Sequence, residues 1–231
     1  MSAPALERSG RRMAIIDDDP NATGATAELV REAGYEPIIL AQQPDLDAMV
    51  AAVIGRAQVA ICDQRLRYHW HVPFHGAETV AALFGHRLPA LLISQFGHID
   101  VNAIRPWRSK IPVLLARADL DAERIRTGIE LCEGELAGQY QSSRRTWRTL
   151  VRIEDVDRKE GQDILDVIIP AWNPADAVRI EGTLLPDALR GELARDVRLF
   201  ARVNIGAERA EDLFFTDFEL APEPPPDVDL G

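Results

Sequence analysis

Three apolar runs in the first part of the chain end in polar side chains. MAIIDDDP reaches Asp17 and Asp18, VAICD ends on Asp63, and LLIS ends on Ser94. Between these runs lie stretches of helical period, and such an alternation of β and α patterns argues for a parallel sheet covered by helices. In an open sheet of that kind ligands bind at the carboxyl ends of the strands. The four side chains are therefore predicted to converge on one pocket.

The element reading follows from the same patterns. Met13 to Ile16 reads as a first strand, with a helix start at Asp19-Pro20-Asn21 and a stop at Gly34. Strands are predicted at Tyr35 to Leu40, Val59 to Cys62, Leu91 to Ser94 and Val113 to Ala116, with helices at Asp45 to Val53 and Ala77 to Phe84. A fourth helix near Ile99 to Ile104 is bracketed by Gly97 and Pro106, which leaves room for only a turn or two. The last helix has Asp119 or Asp121 as its cap and an apolar stripe of Ile125, Ile129, Cys132, Leu136 and Tyr140; it is predicted to continue into Gln141, Ser142 and Ser143.

After Ser143 the apolar period changes to two. TWRTLVRIEDV, DILDVIIPAW, AVRIEGTLL, VRLFARVNIG and EDLFFTDFEL are five strand-like runs, with LPDALRGEL as a short helix before the fourth. A small all-β barrel or sandwich is expected. The expected division is a flexible segment at 1–11, an α/β domain at 12–143, a β-domain at 144–221 and an acidic, proline-rich tail at 222–231.

The acids, the hydroxyl and their order resemble the receiver domain of two-component response regulators, from about Arg12 to Gln141. The resemblance implies a flavodoxin-like, doubly wound, five-stranded parallel sheet. It implies Asp63 as a phosphoryl acceptor, Ser94 as the hydroxyl that reads the new phosphoryl oxygens, and Mg²⁺ held by Asp17, Asp18, Asp63 and the backbone carbonyl of Arg65. A hard divalent cation on oxygen ligands would offset the crowded negative charge of such a transfer. A histidine kinase or phosphotransfer protein is the implied donor, and the family's frequent dimerisation adds a homodimer to the expectations.

This chain departs from the family pattern in three places. Arg117 stands where the family has a lysine, with Lys110 lying before the strand; Arg117 keeps the charge and adds a planar fork suited to phosphate. Leu114 stands where an aromatic switch residue is usual, and the loop QRLRYHWHVPFHG after Asp63 is longer than the family's. That loop carries His69, His71 and His75 around Trp70, a candidate metal site weighed against an ordinary solvated, histidine-rich loop.

Composition narrows the function. The net charge is −11, and from Arg145 onward 11 basic residues face 19 acidic ones. Binding to DNA depends on cations that displace counterions, so DNA output is disfavoured. Arg144, Arg145 and Arg148 cluster at the junction, where the charged end of a helix is the plainer reading than a nucleic-acid contact. Trp147, Trp172, Phe200, Phe214 and Phe215 read as core or interface rather than as a stacking platform. Cys62 and Cys132 read as buried thiols without a disulfide. No apolar run suits a bilayer or a secretory signal, and a cytoplasmic location is expected.

The leading expectation is an atypical response regulator, not an enzyme, phosphorylated at Asp63 and signalling through a protein partner of its β-domain. The alternative is a pseudo-receiver acting as an adaptor or scaffold, its pocket covered by the histidine-rich loop and neutralised by Arg117.

Overall fold

The computed structural model describes residues 10–67, 69–95, 100–159 and 162–222. Most of the 1–11 segment, the start of the expected fourth helix at Ile99 and nearly all of the 222–231 tail lie outside the described residues. The chain divides into two compact units, with the division between Gln141 and Ser142.

The first unit is built on five parallel strands, β1 (Arg12–Ile16), β2 (Glu36–Ile39), β3 (Val59–Asp63), β4 (Ala90–Ser94) and β5 (Val113–Ala116), in the order β2-β1-β3-β4-β5. This is the flavodoxin-like order, whose switch point lies between β1 and β3. Helices α1 (Pro20–Glu32), α2 (Leu46–Ile54), α3 (Gly76–Gly85), α4 (Val101–Ile104) and α5 (Ala122–Leu136) connect the strands. Successive side chains of a strand point to opposite faces, and both faces are apolar here. Ala14, Ile16, Ala60, Cys62 and Leu92 pack with Met49 and Val53 of α2 and Val80 and Leu83 of α3. Met13, Ile15, Val59, Ile61, Leu91 and Ile93 pack with Val30 of α1 and Ile125, Ile129 and Cys132 of α5. Burial on both sides leaves only the strand ends for polar work.

Local chemistry sets the helix limits. The Asp19 side chain accepts the amide of Asn21 at 2.8 Å, Pro20 opens α1, and Gly34 follows its end at φ +91°. The Asp45 and Asp121 side chains cap α2 and α5 in the same way. A Cβ on Gly128 of α5 would stand 2.8 Å from Leu91 Cδ2, so the glycine lets the helix lie close against β4. The fourth helix is a single turn, followed by a 3-10 helix over Arg105–Lys110, as Pro106 implied.

The last helix corrects its expected length. It ends at Leu136 rather than running on to Ser143, because Gly138 takes φ +83° and turns the chain. Tyr140, placed on the apolar stripe by its spacing, is exposed.

The second unit contains β6 (Trp147–Lys159), β7 (Gln162–Ile169), β8 (Asn173–Glu181), β9 (Arg198–Val203) and β10 (Phe215–Leu220). They form one antiparallel sheet in the order β10-β9-β6-β7-β8, with α6 (Asp187–Arg190) between β8 and β9. Val151, Ile153, Leu165, Val167, Leu199, Ala201 and Val203 share its inner face. The all-β expectation holds; among the described residues no pairing of β8 with β10 closes the sheet into a barrel. Trp172 and Phe215 belong to this core, and Arg144 is buried with its guanidinium 5.0 Å from the Phe214 ring centroid.

Candidate functional site

Four strand ends bring the site together. Asp17 and Asp18 follow β1, Asp63 ends β3, Ser94 ends β4 and Arg117 follows β5, all at the carboxyl edge of the first sheet. Asp17, Asp18, Asp63 and Ser94 are buried at that edge.

Arg117 is the centre of the arrangement. Its Nη2 donates to Asp17 Oδ2 at 2.7 Å and to Asp63 Oδ1, bridging the two carboxylates. The other oxygens are also occupied: Asp17 Oδ1 accepts the Asp19 amide at 3.0 Å, and Asp63 Oδ2 accepts the Arg65 amide at 2.7 Å. The Arg65 backbone thus meets Asp63 through its amide. Asp18 turns toward the long loop, where its Oδ2 accepts the amides of His69 and Trp70.

Burial raises the Asp63 pKa, outweighing the bond and charge of Arg117 that lower it. Arg117 is itself pushed up: its burial acts downward, and its bonds to and charges from Asp63 and Asp17 overcome that. Burial decides for Asp63, whose side chain is 12 % exposed against 23 % for Arg117.

Ser94 belongs to a second cluster that the sequence reading missed. Its hydroxyl donates to Asp100 Oδ2 at 2.8 Å, and Arg65 grips Asp100 Oδ1 through Nε at 3.2 Å and Nη2 at 2.9 Å. Arg65 therefore touches Asp63 with its backbone and Asp100 with its side chain. Asp100 lies six residues past Ser94 and 35 past Arg65, and only the fold joins the three.

The strand end at Asp63 is braced by Gln64 and Gly76. Gln64 Oε1 accepts the Ala77 amide at 2.9 Å, and the Gly76 amide donates to the Gln64 carbonyl at 3.1 Å. A Cβ at Gly76 would stand 2.0 Å from the Asp63 carbonyl oxygen, so only glycine admits this approach of α3.

The donor set does not fit the implied Mg²⁺ as arranged. Arg117 lies between Asp17 and Asp63, each of their oxygens carries an N–H, and no group of three or more His, Cys, Asp or Glu among the described residues could hold a metal ion. Nor does the fold gather the three histidines. His69 and His71 are exposed, whereas His75 precedes α3 with Nδ1 buried and without a hydrogen-bond partner among the described residues. Burial, aided by Arg67, lowers the His75 pKa. The loop is anchored by Leu66, Val72 and Phe74 in the core and by Trp70 packed against it. Leu114 packs on the same core, and Lys110 is exposed.

Cys62, next to Asp63, is fully buried; burial first, then the charges of Asp63 and Asp17, raises its thiol well above the ordinary value. Among the described residues no helix is long and apolar enough to cross a membrane.

No protein-family model and no curated protein matches the sequence. Solved structures of receiver domains do. A response regulator receiver domain protein from Clostridium thermocellum is 14% identical, with 54% of this chain and 95% of that one covered at a TM-score of 0.42. The signal receiver domain of the putative response regulator NarL from Mycobacterium tuberculosis is 23% identical over 54% of this chain and 97% of that one, with a TM-score of 0.40. The receiver domain of NtrX from Brucella abortus is 18% identical over 52% and 97%, with a TM-score of 0.41. By its own strand order and the polar residues at its strand ends, the first unit has the flavodoxin-like fold of a receiver domain, followed by an antiparallel β-unit of unassigned family.

Proposed function

We propose that this chain is a response-regulator-like signalling protein, with Asp63 as its point of control and the β-unit as its output. The observation that carries this reading is the Asp63–Arg117–Asp17 bridge at the carboxyl ends of β1, β3 and β5, where a doubly wound sheet places its ligand. A histidine kinase or phosphotransfer protein supplies the phosphoryl group. An Asp63 carboxylate oxygen attacks phosphorus, the P–N bond to the donor imidazole breaks, and the imidazole nitrogen keeps the electron pair and takes up a proton. Arg117 offsets the charge on the acyl phosphate through its guanidinium fork. For the product to be read by Ser94, the hydroxyl must leave Asp100.

In this reading the protein turns over no metabolite and is not an enzyme. A cytoplasmic location follows from the kind of donor, and the acidity of the β-unit favours a protein over DNA as the output partner.

One observation favours a second reading, the pseudo-receiver. Every oxygen of Asp17 and Asp63 already accepts an N–H, and the loop amides take Asp18, so the centre is neutralised without phosphate or metal. The protein would then serve as a constitutive adaptor. Intact-mass spectrometry after incubation with acetyl phosphate, beside Asp63→Asn, separates the two. An adduct of one phosphoryl group that is lost in the variant supports the regulator; an unmodified wild-type chain, with partner binding unchanged in the variant, supports the adaptor.

A further inference from the structure

The outer face of the second sheet carries a charge opposite to that of its unit. Strands β6 and β9 pair antiparallel with Arg148 opposite Arg202, Leu150 opposite Phe200 and Arg152 opposite Arg198. Their neighbours Val151, Leu199, Ala201 and Val203 point inward to the core, so these three pairs share the outward face. The result is two like-charged arginine pairs flanking one apolar pair. Like charges directly opposite on a sheet are destabilising. This fold keeps two such pairs although the chain from Arg145 onward has a balance of −8.

The arginines differ in how they are held. Arg148 lies over the Phe200 ring at 3.6 Å from its centroid and donates to Glu219 at 2.6 Å. Arg152 pairs with Glu154 at 2.9 Å. Arg198 and Arg202 are exposed, and neither has a carboxylate partner among the described residues; Arg202 reaches only the Thr146 hydroxyl at 3.3 Å. The four guanidiniums therefore exceed the carboxylates that meet them. Leu150 and Phe200 between them are only half-buried.

We propose that this face docks an extended acidic segment of a protein partner, with carboxylates at alternate positions and an apolar side chain between them. Along β6 the order is cation, apolar, cation, and β9 repeats it in the opposite direction. A partner strand with acid, apolar, acid at every second residue has the same repeat of roughly 7 Å. The apolar member would rest on Leu150 and Phe200, and the acids would meet Arg198 and Arg202 on one side or Arg148 and Arg152 on the other. A single-stranded nucleic acid fits less well. Leu150 offers no stacking surface, and Arg148 already covers one face of the Phe200 ring. The inference does not depend on phosphorylation of Asp63.

The test uses the full chain and fluorescence anisotropy with a fluorescein-labelled peptide of alternating Glu and Leu, beside a labelled dT15 oligonucleotide. Wild type is expected to bind the peptide, with affinity falling as salt is raised. Arg198→Ala/Arg202→Ala breaks no ion pair among the described residues and is expected to weaken binding at least tenfold, while Arg190→Ala on α6 leaves it unchanged. Arg198→Glu/Arg202→Glu should instead acquire affinity for an alternating Lys and Leu peptide, a gain that an unfolded variant would not show. Peptide binding that is absent in wild type, or equal in wild type and the double alanine variant, would overturn the proposal. So would tighter binding of dT15 through the same two arginines.

Discussion

At the scale of single residues, the site is a balance between burial and one guanidinium. Removing that guanidinium leaves two buried carboxylates uncompensated, and breaking a buried ion pair by deleting one partner is strongly destabilising. Arg117→Ala is expected to cost roughly 3 kcal/mol in urea unfolding, with part of the loss recovered in Arg117→Ala/Asp63→Asn; equal stability of Arg117→Ala and wild type would contradict the bridge. The raised Asp63 pKa adds a pH dependence with a definite sign. Between the ordinary carboxylate value and the raised one the folded state binds a proton that the unfolded chain has released, so the contribution of Asp63 to stability falls as pH rises through that window and is flat above it. Unfolding free energies of wild type and Asp63→Asn should therefore converge or diverge only inside that window, wild type gaining on the variant as pH is lowered. The strand-end residues were legible in the sequence because an apolar run that ends in an acid has one place to put it. Asp100 was not, since nothing local to SQFGHID announces an arginine from another strand end.

At the scale of elements, glycines decide how closely helices approach the sheet. Gly76 brings the start of α3 against the Asp63 carbonyl, and the clash its Cβ would meet is with backbone, which cannot rotate away. Gly76→Ala is expected to destabilise the first unit by about 3 kcal/mol, and to disturb the amide resonances of Asp63 and Gln64 in an NMR spectrum; an unperturbed spectrum would refute the close approach. At the far end of the unit, the apolar spacing of Tyr140 predicted a longer helix than forms. Periodicity reports which face a residue would occupy if the helix continued, but Gly138 in a left-handed conformation ends it first. The shortness of α4 was readable for the same kind of reason, since Pro106 cannot continue an α-helix without losing a hydrogen bond.

At the scale of the whole molecule, the two units have separate cores. The clusters around the first sheet use no residue beyond Cys132, and the cluster in the second uses none before Val151. Fragments 10–141 and 142–222 are each expected to fold, and to show a cooperative thermal transition by circular dichroism; a fragment that melts without cooperativity would mean that its core is incomplete. By itself the sequence determined the class of each unit, the order of its elements and the strand ends at which the buried acids and the Ser94 hydroxyl stand, because period, caps and breakers act within a few residues. Tertiary structure alone decided that Arg117 spans Asp17 and Asp63, that Asp100 takes the Ser94 hydroxyl, that five short strands form one open sheet, and that four arginines meet on its outer face. Those outcomes depend on strand order and register, which bring together groups tens of residues apart and which no local pattern encodes.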